Sequence, residues 1–195
     1  MIPNVTLPIG EKGSWSIEKV SFTGDEVFNR LQALKHGRYI PEGEYTFLKF
    51  NNKIVMSDTP DEKRDHWEPV HKAQGHILIA GLGLGMVLQA CAKKPDVEKI
   101  TVVEVSQDLI DLVGPHYEKM FPGKLEIVCA DIYDWKPPKG IIYNVAWYDI
   151  WNDMCEDNLP LMTKLHRKFA KRVKWQGSWS KEYLLYKRSR NRGYY

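Results

Sequence analysis

The sequence predicts an α/β fold: a shortened parallel sheet with helices on both faces, preceded by a small N-terminal part that contains a β-hairpin. Three observations within residues 76–104 predict it. His76-Ile77-Leu78-Ile79-Ala80 is a short apolar run of the kind that fills a parallel sheet covered on both sides. Gly81, Gly83 and Gly85 follow at once. Glycine lacks a Cβ, so such a turn takes positive φ and lets a ligand approach the backbone closely. An apolar helical stretch then leads to a second strand, Lys99–Glu104, that ends on an acid.

The helix of that unit, from about Leu84 to Lys94, buries Val87, Leu88 and Cys91. It closes on Lys93-Lys94-Pro95, where cations suit the helix dipole and proline stops the winding. Its start faces the crevice at the strand ends, where open α/β sheets bind ligands. Glu104 stands about 20 residues past the glycines, where an acid can accept from both ribose hydroxyls. A charge-assisted bond of that kind contributes roughly 1.5–3 kcal/mol. Gly81, Leu82, Gly83, Gly85, Glu104 and the adjoining Val105 are therefore candidate contacts to an adenosine-bearing ligand. The alternative is a plain βαβ unit whose glycines only permit close packing.

Ahead of this unit, residues 1–14 contain Pro3, Pro8, Gly10 and Gly13 and read as an irregular lead-in. Trp15 to Phe22 alternates apolar and polar residues and reads as a strand. Val27, Phe28, Leu31 and Leu34 recur at helical spacing over 25–36, with Gly37 as the stop. Tyr45–Phe50 and Lys53–Ser57 around Asn51-Asn52 form a hairpin signal. Thr59, Pro60 and Glu62 fit a capping box with proline at the first helical position, opening a helix over 61–72. Asp58, Asp65 and His66 are left as site candidates. His66 and His71 lie five apart, whereas a zinc pair on one helix face needs four, so no metal site is expected.

After Glu104, Ser106 is an N-cap for a helix with Leu109, Ile110, Leu112 and Val113 inward. Gly114-Pro115 is expected to break it, with one further turn to Phe121. Pro122-Gly123 leads into strand 124–130, which Asp131 follows; strand 142–150 carries Asp149 near its end. Helix 158–169 should turn Leu161, Leu165 and Phe169 inward and Arg167 and Lys168 outward. Lys171 to Trp175 reads as a fifth strand or its approach, and Tyr183–Tyr186 as a short closing strand before a solvated basic tail. Mixed aromatics and cations there also suit nucleic acid, since cations hold the backbone and rings stack on bases. The expected division is 1–72, 73–178 and 179–195.

The glycine spacing narrows the ligand. A dinucleotide fingerprint is G-x-G-x-x-G, and this chain has G-x-G-x-G followed by Met86. GLGLG, PDVEKITVVEVSQDLI and CADIYDW resemble the Rossmann-like class I S-adenosylmethionine (SAM) fold, in particular polyamine aminopropyltransferases (spermidine synthases) and their methyltransferase relatives. The resemblance covers roughly Tyr45 to Asp153 and includes a D-E-x-x-x-H stretch at Asp61 to His66. It implies SAM as cofactor, with decarboxylated SAM as the alternative. It implies that Asp131 accepts from the adenine amino group and that Ile132 packs the ring. It puts the catalytic position at Asp149, with Asp153 as a second candidate in DIWND. The chain departs from the pattern at Ile79, where most class I methyltransferases carry an acid, and at Leu84, where aminopropyltransferases carry an Asp. WQGSW is similar to phage and prophage proteins of methyltransferase-like type.

Composition bounds the rest. The 195 residues are 43% apolar and 27% charged with net charge +3, ordinary for a soluble globular chain. No apolar run approaches a membrane span, and Met1-Ile2-Pro3 is unlike a signal peptide. Cys91, Cys129 and Cys155 read as buried free thiols in a reducing cytosol, which makes the expected location cytoplasmic. From Lys164 onward, Glu182 is the only acid among many cations. Methyl transfer to a small-molecule or nucleic-acid acceptor is the leading expectation. Aminopropyl transfer comes next, then a protein that binds SAM or a nucleoside without turnover.

Overall fold

The computed structural model describes residues 2–23 and 40–192, the side chains of 191 and 192 excepted. The expected helix over 25–36 lies outside the described residues. Two sheets make the frame. The first is antiparallel in the order β1 (Gly10–Lys12), β2 (Trp15–Phe22), β3 (Gly43–Phe50), β4 (Lys53–Ser57). Asn51 and Asn52 both take positive φ between β3 and β4, the geometry of a tight hairpin whose twist matches its strands. The lead-in is more ordered than its prolines and glycines suggest. β1 pairs with β2, and Ile2, Val5 and Leu7 are buried. Asp58 ties this segment down by accepting from the backbone N–H of Val5 (3.0 Å) and Thr46 (2.7 Å).

The second sheet is parallel throughout: β7 (Leu125–Cys129), β6 (Val97–Glu104), β5 (Gly75–Ala80), β8 (Tyr143–Tyr148) and β9 (Val173–Ser178), in that spatial order. Alternate residues of the apolar runs serve opposite faces. Ile77, Ile79, Val102, Val145 and Trp147 pack with α3 (Met86–Ala92) and α4 (Gln107–Met120). Leu78, Ala80, Val103, Ala146 and Tyr148 pack with α5 (Asn158–Phe169). This is a Rossmann-like arrangement, a parallel sheet with helices on both faces. Its chain order reverses between β5 and β8, and the crevice beyond their C-terminal ends is the switch point where such sheets bind ligands.

Several local expectations are corrected. The helix expected over 61–72 is two short ones, α1 (Pro60–Asp65) and α2 (Trp67–Lys72), joined at His66. Pro69 has no N–H to give the Asp65 carbonyl, so the winding lapses there. Thr59 makes no side-chain cap; Glu62 instead accepts from the Ser57 N–H and hydroxyl, both at 2.8 Å. By contrast, α4 runs unbroken through Gly114-Pro115. Pro115 has no N–H to give the Asp111 carbonyl, and both residues are exposed to solvent. Burial of Val113 and Tyr117 on either side outweighs the roughly 3 kcal/mol cost of an internal proline.

At the C-terminus, residues 183–186 are not a strand. They lie in α6 (Lys181–Arg192), which seats Leu184 against Leu159 and Met162 of α5. On α5 the inward row is Leu159, Met162, Leu165 and Phe169, at i+3 and i+4 steps, and Leu161 is 43% exposed. Lys168 turns back to cap the carbonyls of Ile132 (2.8 Å) and Tyr133 (2.7 Å) rather than pointing outward. Cys91 is buried, but Cys129, at the end of β7, and Cys155, in the loop before α5, are exposed. Among the described residues, no helix is long and apolar enough to cross a membrane.

Candidate functional site

The C-terminal ends of β5, β6, β7 and β8 open into one cleft of about 370 Å³. Gly81, Gly83, Glu104, Val105, Asp131, Ile132 and Asp149 all line it. Four separate chain segments thus bring most of the sequence-predicted residues to one place. Three stand apart. Leu82 is buried beneath the turn and borders a small cavity of about 20 Å³ next to the cleft. Gly85 serves packing: a Cβ there would come within 2.2 Å of the Tyr117 ring. Asp153 lies on an exposed loop, where its carbonyl accepts from the Asn158 side-chain amide, and it does not line the cleft.

The glycine turn is built by contacts that exclude a side chain. Gly81 has φ +94°, and a Cβ would meet the Asp149 carbonyl at 2.1 Å. Gly83 has φ +48°, and a Cβ would meet Met56 Sδ at 2.6 Å. The same sulfur accepts from Leu84 N–H at 3.3 Å, so β4 closes over the turn. Glu104 is buried and braces the turn from the neighbouring strand. Its two oxygens accept from Leu82 N–H (2.8 Å) and Ser106 N–H (2.9 Å). A carboxylate has about four acceptor sites, so both oxygens keep capacity for a ligand's hydroxyls. Across the cleft, Asp131 Oδ1 accepts from Tyr133 N–H at 2.8 Å, which shapes the turn that presents Ile132.

Asp149 sits at the deep end. Its side chain is 13% exposed, and His66 Nε2 lies 3.6 Å from its Oδ2. Burial, then the Glu62 and Asp65 carboxylates, push its pKa up to about 7. Burial pulls His66 down to about 4, which keeps the imidazole neutral. His66 Nδ1 is buried with no hydrogen-bond partner among the described residues, and the ring stands edge-on to Trp147. His66 therefore joins the site through the break between α1 and α2. Asp58 serves as the clamp described above, and Asp65 accepts from Trp179 Nε1 at 3.4 Å.

Sequence reasoning missed one wall. Trp15, Leu48, Phe50, Val55 and Met56, all from the antiparallel sheet, line the cleft opposite Asp131 and Ile132. Trp15 and Phe50 are register partners whose rings lie 4.7 Å apart, and Trp15 Nε1 donates to Ser106 Oγ at 2.9 Å. Aromatics at one end of a hairpin were visible in the sequence, but not the surface they face. Of the aromatics around Asp149, Trp151 lines the cleft and Trp147 borders the small cavity. Tyr148 points to the other face and donates to Gln176.

These residues fit the adenosine end of SAM: an acid placed for ribose, an acid and an apolar residue for adenine, and aromatic walls. Beside Asp149 the lining is apolar. Met56, Leu82, Met86, Val87 and Leu88 surround the small cavity with His66 and Asp149, and no cation lines it.

No protein-family model matches the chain, and no curated protein matches it. Solved structures do. A 23S rRNA methyltransferase, ErmE, is 16% identical over 60% of this chain and 44% of its own, with a TM-score of 0.45. The N-methyltransferase NodS from Bradyrhizobium japonicum is 14% identical over 60% and 64%, with a TM-score of 0.47. A putative RNA methyltransferase from Pyrococcus horikoshii is 14% identical over 62% and 58%, also with a TM-score of 0.47. The chain spans less than two thirds of the length of each. At such identities and TM-scores the likeness says nothing of what this chain does.

Proposed function

We propose that the cleft binds SAM and that the chain is a SAM-dependent methyltransferase with Asp149 as its catalytic carboxylate. The observation that carries this reading is the convergence of Gly81, Gly83, Glu104, Asp131, Ile132 and Asp149 on one cleft at the sheet's switch point. Glu104 would hold the ribose, Asp131 and Ile132 the adenine, and the glycine turn the approach to the backbone. SAM supplies an electrophilic methyl group on a sulfonium. Asp149 would accept the proton or hydrogen bond of the attacking group and orient it, and with a pKa near 7 it is suited to that task close to neutral pH. His66 and Trp147 exclude water behind it. Positioning does much of the remaining work.

One observation favours a second reading. No cation lines the cleft to hold a carboxylate, which suits decarboxylated SAM and aminopropyl transfer. Calorimetric titration with SAM beside decarboxylated SAM separates the two. Tighter binding of SAM supports methyl transfer, and a preference for the decarboxylated form supports the second reading. Binding of neither would remove both.

A further inference from the structure

The charge of the chain is divided by position. Residues 164–195 hold eleven Lys and Arg and one acid, Glu182, although the whole chain carries only +3. The fold gathers four of these cations in one place. α5 and α6 pack side by side through Leu159, Met162 and Leu184, and a groove of about 410 Å³ runs between them. Lys164 and Arg167 of α5 and Lys181 and Arg188 of α6 line it, with Thr163 and Leu185 and no carboxylate. None of the four cations is within ion-pair distance of an acid among the described residues. Four like charges converging on one concavity repel each other, and a polyanion relieves that repulsion.

The groove adjoins the cleft. Lys164 Nζ lies 5.3 Å from the centre of the Tyr133 ring, and Tyr133 lines the cleft. Lys181 follows β9, whose last residue, Ser178, pairs with Tyr148, the residue before Asp149. On the outer side of α6, Tyr183 and Tyr186 are 55% and 58% exposed, and Arg190 lies over the Tyr186 ring. Exposed rings beside cations give stacking surface for unpaired bases, which duplex DNA does not offer. A membrane surface fits less well, because α6 buries Leu184 against α5 and keeps no continuous apolar face for lipid.

We propose that the α5–α6 groove docks single-stranded nucleic acid and leads it toward Asp149. That the docked strand is also the methyl acceptor rests on the transferase reading above; docking itself does not.

The test is fluorescence polarisation with labelled 15-nucleotide oligouridylate and oligothymidylate across a salt series. The full chain is compared with Lys164→Gln/Arg167→Gln/Arg188→Gln and with a control, Lys19→Gln/Lys53→Gln/Lys119→Gln, which removes cations elsewhere. The groove variant is expected to bind about tenfold or more weakly and to lose about 2 from the salt slope, while the control keeps wild-type affinity. Equal loss in both variants would overturn the proposal. So would failure of the wild type to bind either oligonucleotide, or retention on phosphatidylserine vesicles alone. Titration of S-adenosylhomocysteine into the same proteins reads the two proposals apart. Ligand binding without oligonucleotide binding rejects the groove only, and the reverse rejects the SAM site only.

Discussion

His66 Nε2 lies 3.6 Å from Asp149 Oδ2, just beyond hydrogen-bonding distance, and the two groups titrate in opposite directions from their ordinary values. A carboxylate raised to about 7 beside an imidazole lowered to about 4 is not an ion pair at neutral pH. The imidazole is neutral, and the carboxyl group is shared between its two forms. That leaves Asp149 able to take a proton near pH 7, with Glu62 and Asp65 helping to hold it there.

Turnover should therefore rise with pH through about 7 and level off above it, as Asp149 loses its proton. Asp149→Asn should cost at least about a hundredfold in turnover and flatten that profile, with SAM affinity changed little. A pH–rate profile of both proteins checks this; an unchanged profile in the variant would remove Asp149 from the chemistry.

The same shift has a sign for stability. Asp149 is raised in the folded state, so folding takes up a proton between the unfolded value near 4 and the folded value near 7. The Asp149 contribution to stability is present at low pH and is lost as pH rises through that window. Asp149→Asn should stabilise the fold by on the order of 1–3 kcal/mol at pH 8, and by less at pH 5. Urea midpoints at the two pH values measure the difference, and a gain that is larger at pH 5 would contradict it.

Gly85 and Gly140 make a matched pair. Both have positive φ, +69° and +83°, but a Cβ at Gly85 meets the buried Tyr117 ring at 2.2 Å while one at Gly140 meets nothing within 4 Å. Gly140→Ala should cost about 1–2 kcal/mol, from backbone strain alone. Gly85→Ala should cost at least about 1 kcal/mol more, since Tyr117 is held by its hydroxyl to the Leu84 carbonyl at 2.7 Å and cannot yield freely. Denaturant melts of the two variants test the ordering.

Trp15 joins the antiparallel sheet to the cleft. Trp15→Phe keeps a ring against Phe50 and loses the bond to Ser106 Oγ; Trp15→Ala loses both. Affinity for S-adenosylhomocysteine should fall several-fold in Trp15→Ala and by less in Trp15→Phe. Wild-type affinity in Trp15→Ala would mean that the wall is not part of the site.

The parallel sheet and the glycine turn were legible because their signals are local. Ile77 to Ala80 is buried on both faces, and Gly81, Gly83 and Gly85 all take the positive φ that their residue type allows. Glu104 was legible from spacing, although its role in bracing the Leu82 and Ser106 amides was not. Two prolines show where local reading stops. Pro115 and Pro69 remove the same kind of bond, yet one helix continues and the other is broken. The difference lies in what the flanking residues bury: Val113 and Tyr117 fill the core around α4, while the buried residue of α2 is Pro69 itself. The wall of Trp15, Phe50 and Met56 depends on how one sheet docks on the other, which strand periodicity does not encode.

The most direct test is calorimetric titration of SAM and S-adenosylhomocysteine into the wild type and Glu104→Ala. The carboxylate of Glu104 faces the cleft, and a lost charge-assisted bond of about 1.5–3 kcal/mol corresponds to roughly tenfold or more in affinity. Saturable binding to the wild type and at least that loss in the variant are expected, with the variant still folded by circular dichroism. Equal affinity in the two proteins, or no binding to the wild type, would mean that the glycine turn and its acid are structural and that the cleft is not an adenosyl site.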